Sequence, residues 1–203
     1  MKHVRDDEGR PLFEVPEEDL KLIDKRLFEE NGNIYKIIDY INEELSQTDK
    51  PKNLLFMGDV GLGKTFISEL IRKSIEQANL KVFWIESRTL WKQYVRLIGS
   101  NYSDKAEAIE KLLSVGKRNI LILDDFGTEE REKQREIVKD ILFDKYNQIK
   151  HNKSYITIVS TNLNFRQIAK IYGKRIADRF LEVFTLINFK GKSMRRRNIK
   201  IIE

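Results

Sequence analysis

The chain has 203 residues, of which 40% are hydrophobic and 34% are charged, and it contains no cysteine. This length suits one α/β domain with a substantial core but is too short for two full domains. Disulfides and thiolate metal sites are excluded, and no apolar run approaches the roughly 20 residues of a membrane span. We therefore expect a cytoplasmic protein without membrane contact. The net charge of +6 permits a polyanionic partner, and residues 170–203 carry ten lysines and arginines against three acids.

Residues 1–50 are predicted to form an N-terminal arm with two short helices, ahead of one larger domain at 51–203. Pro11 and Pro16 lie in a polar opening segment. Two apolar runs with helical spacing follow, and Asn31-Gly32 separates them.

A glycine loop follows the first predicted strand of the larger domain. Residues 58–65 read G-D-V-G-L-G-K-T, a complete G-x-x-x-x-G-K-T motif, directly after the apolar run at 54–57. The glycines let backbone N–H groups turn towards one anion, and the following helix, predicted at 63–78, presents its positive end there. Lys64 would reach the β- and γ-phosphates of ATP, and the Thr65 hydroxyl would ligate Mg²⁺. The predicted nucleotide-binding residues are Gly58, Asp59, Val60, Gly61, Leu62, Gly63, Lys64, Thr65 and Phe66.

The rest of the domain alternates strands with helices. Strands are predicted at 82–85, 120–123, 155–160 and 183–187, and helices at 87–98, 103–115, 130–149, 164–171 and 173–181. This alternation predicts a parallel sheet covered by helices on both faces.

Two carboxylates, Asp124 and Asp125, follow the apolar strand at 120–123. A carboxylate at the end of a neighbouring strand can orient the waters of a Mg²⁺ held by Thr65 and phosphate oxygens, and Asp124 fits that role. Asp125 is placed to polarise the attacking water as a general base. Strand-capping acids that only aid solubility are the alternative interpretation.

A polar amide, Asn162, lies where the strand at 155–160 ends. It is predicted to hold the attacking water or the γ-phosphate. The rival role, an N-cap for the next helix, suits Asn164 better.

The motifs together resemble a known group of ATPases. In chain order they are the loop at 58–65, Asp124-Asp125-Phe-Gly127, Ser160-Thr161-Asn162, Arg175-Ile-Ala-Asp-Arg179 and Gly191-Lys-Ser193-Met-Arg195. They are similar to the AAA+ domain of bacterial replicative helicase loaders, the DnaC/DnaI group, and of the related IstB-type transposition helpers. The resemblance covers roughly residues 50–200 and implies an α/β P-loop NTPase of the AAA+/ASCE type, with a five-stranded parallel sheet between helical layers and a helical insertion after the second strand. Residues 51–203 would then be the AAA+ ATPase domain.

The resemblance also implies roles for individual residues. Asn162 matches the sensor-1 position and Arg195 the sensor-2 arginine. Arg179 matches the arginine finger that reaches the ATP of a neighbouring subunit, with Arg175 a less favoured candidate. An arginine supplied in trans makes hydrolysis depend on an ATP-dependent homo-oligomer.

The helices predicted at 87–98 and 103–115 occupy the position of an insertion that lines a single-stranded DNA channel in such loaders and initiators. Lys92 and Arg96 are therefore candidate DNA-binding residues. An ordinary amphipathic helix, with Leu90 and Tyr94 in its core stripe, accounts for the same spacing.

Two departures from the group's pattern bear on function. Only about fifty residues precede the glycine loop, so the helicase-binding domain of typical loaders is not recognisable, and the client stays open. Asp125 stands where many AAA+ hydrolases have glutamate, which favours slow, assembly-dependent hydrolysis.

The leading hypothesis is an ATP-dependent helicase loader-like protein in DNA replication that binds single-stranded DNA and a replicative helicase. The alternatives are an IstB-like transposition helper that prefers duplex DNA, or an ATP-gated switch that does not hydrolyse.

Overall fold

The computed structural model of the chain describes residues 53–77, 81–99, 119–150, 156–190 and 193. The elements, in chain order, are β1 (Asn53–Met57), α1 (Lys64–Gln77), β2 (Lys81–Glu86), α2 (Ser87–Gly99), β3 (Asn119–Phe126), α3 (Glu132–Lys150), β4 (Thr157–Thr161), α4 (Phe165–Tyr172), α5 (Lys174–Val183) and β5 (Phe184–Asn188). The predicted arm and helices of 1–50, the predicted helix at 103–115 and Arg195 lie outside the described residues.

The five strands form one parallel sheet, as the alternation of elements predicted. Their order in the sheet is β2-β3-β4-β1-β5. Because all strands are parallel, their carboxyl ends meet at one edge of the sheet. β1 lies directly between β4 and β5. This arrangement places the loop after β1 next to the residues that follow β4.

β3 is longer than the sequence pattern indicated. The strand continues through both carboxylates to Phe126, because Asp124 pairs with Glu86 of β2 and Phe126 pairs with Thr161 of β4. The register between β3 and β4 shifts between Leu123 and Phe126, so a bulge interrupts the ladder at the carboxylates. Bulges of this kind change the direction in which a strand's side chains point.

Helices cover both faces of the sheet. On one face, α2, α3, α4 and α5 share a continuous apolar cluster with alternate residues of the strands. α3 contributes Ile137, Val138, Ile141 and Leu142 to this cluster. On the other face, α1 packs against β2, β3 and β4 through Ile67, Leu70 and Ile71. Each such side chain, when buried, stabilises the fold by roughly 1.5–3 kcal/mol.

α4 begins as the sequence predicted. The Asn164 side chain accepts a hydrogen bond from the Gln167 N–H at 3.0 Å, and the Gln167 side chain accepts one from the Asn164 N–H at 2.8 Å. This capping box satisfies two N–H groups that the first turn would otherwise leave unpaired. Asn162 is therefore not needed as the cap.

Candidate functional site

The loop between β1 and α1 has the conformation that its glycines allow. Gly58, Gly61 and Gly63 all have positive φ angles, and α1 begins at Lys64. Gly58 also lies against β5, because the Phe189 N–H donates to the Met57 carbonyl at 2.7 Å. A Cβ on Gly58 would approach the Phe189 carbonyl oxygen to 2.4 Å. The loop therefore starts from a backbone contact that only glycine permits.

We expect Gly58→Ala to lower the free energy of unfolding by roughly 2 kcal/mol or more, since it combines a disfavoured φ of 147° with a backbone clash. Urea unfolding monitored by circular dichroism measures the change. Gly173→Ala is the matched control, because Gly173 also has a positive φ but has nothing within 4 Å of an added Cβ. If both variants lost the same free energy of unfolding, the disfavoured φ angle alone would account for the loss, and the contact with Phe189 would contribute nothing.

The ammonium group of Lys64 joins the loop to the end of β4. Its Nζ donates to the carbonyls of Gly58 at 2.7 Å and Asp59 at 2.8 Å, and to Asn162 Oδ1 at 2.7 Å. Only 5% of Lys64 is exposed. The structure thus brings together two residues that are 98 positions apart and that the sequence had assigned to the same phosphate site.

A hydroxyl–carboxylate cluster lies beside the loop. Thr65 Oγ1 donates to Asp124 Oδ1 at 3.3 Å, and Ser160 Oγ also donates to Asp124 Oδ1. Burial raises the pKa of Asp124, and the neighbouring Asp125 adds to this effect, although the hydrogen bonds from Ser160 and Thr65 act in the opposite direction. A cation beside Asp124 would relieve that penalty.

This donor set fits Mg²⁺. The Thr65 hydroxyl and the Asp124 carboxylate are hard oxygen donors, and Mg²⁺ in phosphate sites takes one or two protein ligands, with waters and phosphates completing its octahedron. Within the described part of the chain, no group of three or more His, Cys, Asp and Glu side chains could hold a metal alone. Thr65 and Asp124 are therefore the residues that could hold the ion together with a nucleotide.

Asp125 has a left-handed backbone, with φ of 53°. Its N–H donates to Ser160 Oγ at 3.0 Å, and its carbonyl accepts from the Thr128 N–H at 3.3 Å and the Thr128 Oγ1 at 2.8 Å. The side chain is half-buried, at the carboxyl edge of the sheet. Neighbouring groups on both sides thus fix a conformation that few residues other than glycine adopt.

Ser160 was missed as a site residue by the sequence reasoning. It contacts Asp124 through its side chain and receives the Asp125 N–H, so it positions both carboxylates. A signal was present, because Ser160 belongs to the Ser160-Thr161-Asn162 segment at the carboxyl end of β4.

Arg179 lies on α5, where its guanidinium packs on aromatic rings of α3. Its Cζ lies 3.8 Å from the centre of the Phe143 ring and 4.6 Å from that of Tyr146. Nη1 is buried and has no hydrogen-bond partner among the described residues. Arg175 is exposed on the same helix. The guanidinium of Arg179 thus stacks on α3 of its own subunit.

A small cavity of about 10 Å³ adjoins Arg179 between α3, α5 and the start of β5. Lys145 lines it and is only 3% exposed, and burial lowers the pKa of Lys145 to about 8. Below pH 8 the amine is charged in both the folded and the unfolded chain. Between pH 8 and 10.5 the unfolded chain holds a proton that the folded chain has released. Stability from this group therefore rises with pH across that window.

We expect Lys145→Met to remove this rise. The difference between the pKa of 10.5 of an unperturbed lysine and about 8 in the fold corresponds to about 3 kcal/mol. The wild type should therefore gain about 3 kcal/mol relative to Lys145→Met between pH 7.5 and 10.5, measured by urea unfolding. Lys133→Met, at an exposed position of α3, should follow the wild-type profile. Parallel profiles for wild type and Lys145→Met would contradict the expectation.

The two candidate DNA-binding residues, Lys92 and Arg96, are exposed on α2, and Leu90 and Tyr94 are buried in the core. The helix is therefore amphipathic, as the alternative interpretation required, and it presents its cations outward. Arg88 lies one turn before Lys92 and pairs with Glu86 at 2.8 Å.

None of the described helices combines the length and apolarity that crossing a membrane requires.

Comparison with known proteins identifies relatives of the chain. A family model described as IstB-like ATP binding protein matches residues 28–201. An ATP-binding protein of insertion sequence IS5376 from Geobacillus stearothermophilus is 26% identical over 166 residues, which cover 78% of this chain and 61% of the relative. The chain thus spans less than two thirds of that relative's length.

Solved structures show the same fold. The DnaC helicase loader matches with a TM-score of 0.60 and 21% identity, covering 82% of this chain and 100% of that one. DnaI matches with a TM-score of 0.57 and 19% identity over 79% of this chain and 84% of its own. The replication initiator DnaA bound to AMPPCP and single-stranded DNA matches with a TM-score of 0.57 and 15% identity, covering 76% of this chain and 45% of that one. These likenesses establish the P-loop AAA+ fold that the sequence predicted.

Proposed function

The chain belongs to the IstB-like ATP-binding protein family, and on that premise we propose that it is a Mg²⁺-dependent ATPase that assembles on DNA and delivers a client protein to it. The observation that carries the proposal is the convergence of Lys64, Thr65, Asp124 and Asn162 at one edge of the sheet. A phosphate-binding lysine, a hydroxyl–carboxylate pair for the cation and a polar amide are the parts that phosphoryl transfer to water requires.

Each residue has a distinct task in this mechanism. The ammonium of Lys64 neutralises charge on the β- and γ-phosphates. Bound Mg²⁺ supplies electrostatic stabilisation of the transferring phosphoryl group, and Thr65 and Asp124 hold it. Asp125 accepts the proton of the attacking water, and the Asn162 amide orients that water or a γ-phosphate oxygen.

Assembly enters through Arg179. We propose that its guanidinium completes the nucleotide site of a neighbouring subunit, so that turnover requires an ATP-dependent homo-oligomer. Arg195 would reach the γ-phosphate within its own subunit. Turnover of the isolated subunit should be slow, because it lacks the arginine of a neighbour and because its base is an aspartate and not the longer glutamate.

The proposed DNA contact is the outward face of α2. Lys92 and Arg96 are one helical turn apart and exposed, so both can lie along one phosphate backbone. The DnaA match was solved with single-stranded DNA, and the loader resemblance favours the same ligand here. The similarity to the DnaC helicase loader also leads us to propose a replicative DNA helicase as the client protein.

A transposition helper is the second candidate, and the relative from an insertion sequence favours it. In that case the preferred DNA is duplex and the client is a transposase. Phosphate release by the purified protein, measured alone, with single-stranded DNA and with duplex DNA, separates the candidates. Stimulation by single strands supports the loader, stimulation by duplex alone supports the helper, and tight ATP binding without turnover leaves a switch.

We expect the double variant Lys92→Glu/Arg96→Glu to weaken single-stranded DNA binding at least tenfold, because two phosphate contacts become repulsive. The slope of log affinity against log salt concentration is negative, and its magnitude should fall by about 1.4, since each contact with a single strand contributes roughly 0.7. Fluorescence anisotropy over a salt series measures both quantities.

Arg166→Glu/Lys170→Glu is the matched control for this charge reversal. These two residues are also exposed and one turn apart, but they lie on α4. An equal loss of affinity in both double variants would show that net charge, and not α2, accounts for binding.

A further inference from the structure

Glu129 is a buried carboxylate outside the nucleotide site described above. It lies in the loop between β3 and α3, four residues after Asp125, and is only 3% exposed. Ser87 Oγ and Tyr172 Oη both donate hydrogen bonds to its carboxylate, one to each oxygen. Its backbone carbonyl accepts from Arg135 Nε at 3.2 Å. Glutamate is seldom buried this deeply unless it is paired, so the hydroxyl contacts define its position.

The two donors come from different parts of the fold. Ser87 is the first residue of α2, the helix that exposes Lys92 and Arg96. Tyr172 is the last residue of α4. The carboxylate of Glu129 therefore ties the proposed DNA helix and α4 to one point in the loop that follows β3.

Glu129 is also connected to the proposed general base. Thr128, its neighbour, donates both its N–H and its hydroxyl to the Asp125 carbonyl. Phe126 lies against Tyr172, with ring centres 4.4 Å apart. Asp125 holds a left-handed backbone, so its geometry depends on these neighbours. Only three residues separate Glu129 from Asp125, so we expect a displacement of Glu129 to change the backbone at Asp125.

We propose that Glu129 is a positioning residue that couples α2 to Asp125, so that DNA bound along α2 changes the rate of ATP hydrolysis. The inference rests on the proposed function in taking Asp125 as the base and α2 as the DNA contact. The physical link is the hydrogen bond from Ser87 to Glu129, which moves with the first turn of α2. Contiguous hydrogen-bonded and packed elements of this kind carry coupling between sites.

The test compares two substitutions, each of which removes one hydroxyl that donates a hydrogen bond to the Glu129 carboxylate. Ser87→Ala removes the donor from α2, and Tyr172→Phe removes the donor from α4. Both leave Glu129 with one hydroxyl fewer, so they are matched for the loss at the carboxylate. The quantity measured is the stimulation factor, which is kcat for ATP with single-stranded DNA divided by kcat without it.

We expect Ser87→Ala and Glu129→Gln each to lower the stimulation factor by about 3- to 30-fold, with KM for ATP and DNA affinity unchanged. The double variant should lose no more than Glu129→Gln alone, because both changes break the same link. Tyr172→Phe should keep most of the stimulation. Equal losses in Ser87→Ala and Tyr172→Phe, or an unchanged factor in Ser87→Ala, would overturn the proposal.

Hydrogen exchange of the amides at 125–129 gives a readout that does not need turnover. DNA should change their exchange in the wild type and leave it unchanged in Ser87→Ala. If the wild type binds DNA but hydrolyses no ATP under any condition, the proposed hydrolytic function fails, while this measurement still tests whether Glu129 links α2 to Asp125. An equal exchange response to DNA in both proteins would refute the role of Glu129.

Discussion

Lys64→Ala should reduce ATP turnover by at least 10²- to 10³-fold and weaken ATP binding. The substitution removes the cation nearest the β- and γ-phosphates, and loss of one preorganised charge or donor from a reacting centre has an effect of about this size. It also removes three hydrogen bonds, to Gly58, Asp59 and Asn162, that hold the loop against the end of β4. Phosphate release and titration with a fluorescent ATP analogue measure the two effects separately.

Lys133→Ala is the control for this change, since Lys133 is exposed on α3 and outside the site. It should retain wild-type turnover and affinity. If Lys64→Ala kept both wild-type turnover and wild-type ATP affinity, the glycine loop could not be the hydrolytic site, and the proposed function would fail at its first step. A loss of affinity alone, with kcat unchanged at saturating ATP, would show that Lys64 stabilises bound ATP and the transition state equally.

Local patterns were sufficient to predict the nucleotide loop and most elements of the fold. Glycines at 58, 61 and 63 have positive φ angles because the phosphate loop needs them, and that requirement is visible in the sequence. The pairing of Thr65 with Asp124 also followed from a general rule, because carboxyl ends of parallel strands share one edge of the sheet. The strand order β2-β3-β4-β1-β5 depends instead on pairings between distant segments, which no local pattern carries.

Contacts that depend on tertiary packing could not be predicted from the sequence. Glu129 would be assigned to the surface by residue type, yet it is buried by donors 42 and 43 positions away. The bulge in β3 could not be read from an apolar strand followed by two acids, because it arises from the register with β4. Both features shape the surroundings of Asp125. The residues that meet at this edge of the sheet could be predicted, whereas the contacts that hold them in place could not.

The contacts of Arg179 were also not predictable from the sequence. The resemblance assigned it to a neighbour's nucleotide, and the aromatic platform formed by Phe143 and Tyr146 was not foreseen. Tyr146 is itself held, because its hydroxyl donates to Glu182 at 2.6 Å. A guanidinium stacked on a fixed platform is restricted in its rotamers, so less entropy is lost when it engages a phosphate. The platform is therefore compatible with a preorganised arginine at a subunit interface.

We expect Arg179→Ala to lower kcat by about 10³-fold or more without changing ATP affinity, as the loss of a trans arginine does in phosphoryl transfer. The decisive measurement mixes Arg179→Ala with Asp125→Asn, which removes the proposed base but keeps the nucleotide-binding loop intact, and we expect each variant to be nearly inactive alone. In a mixed oligomer, the intact site of the first variant meets the intact arginine of the second. Random assembly places such a pair at about one interface in four, so the mixture should recover roughly a quarter of wild-type turnover.

Two comparisons make this result specific to Arg179. Arg175→Ala removes an exposed arginine one turn earlier on the same helix and should leave kcat nearly unchanged, whereas exchange of the two outcomes would assign the trans role to Arg175. Arg179→Ala also loses its stacking on Phe143 and Tyr146, so unfolding and sedimentation must show that the variant still folds and assembles. If it does both, yet mixing restores no activity, Arg179 acts within its own subunit. Hydrolysis would then not depend on an arginine from a neighbour, and the slow turnover expected here would have to come from Asp125 alone.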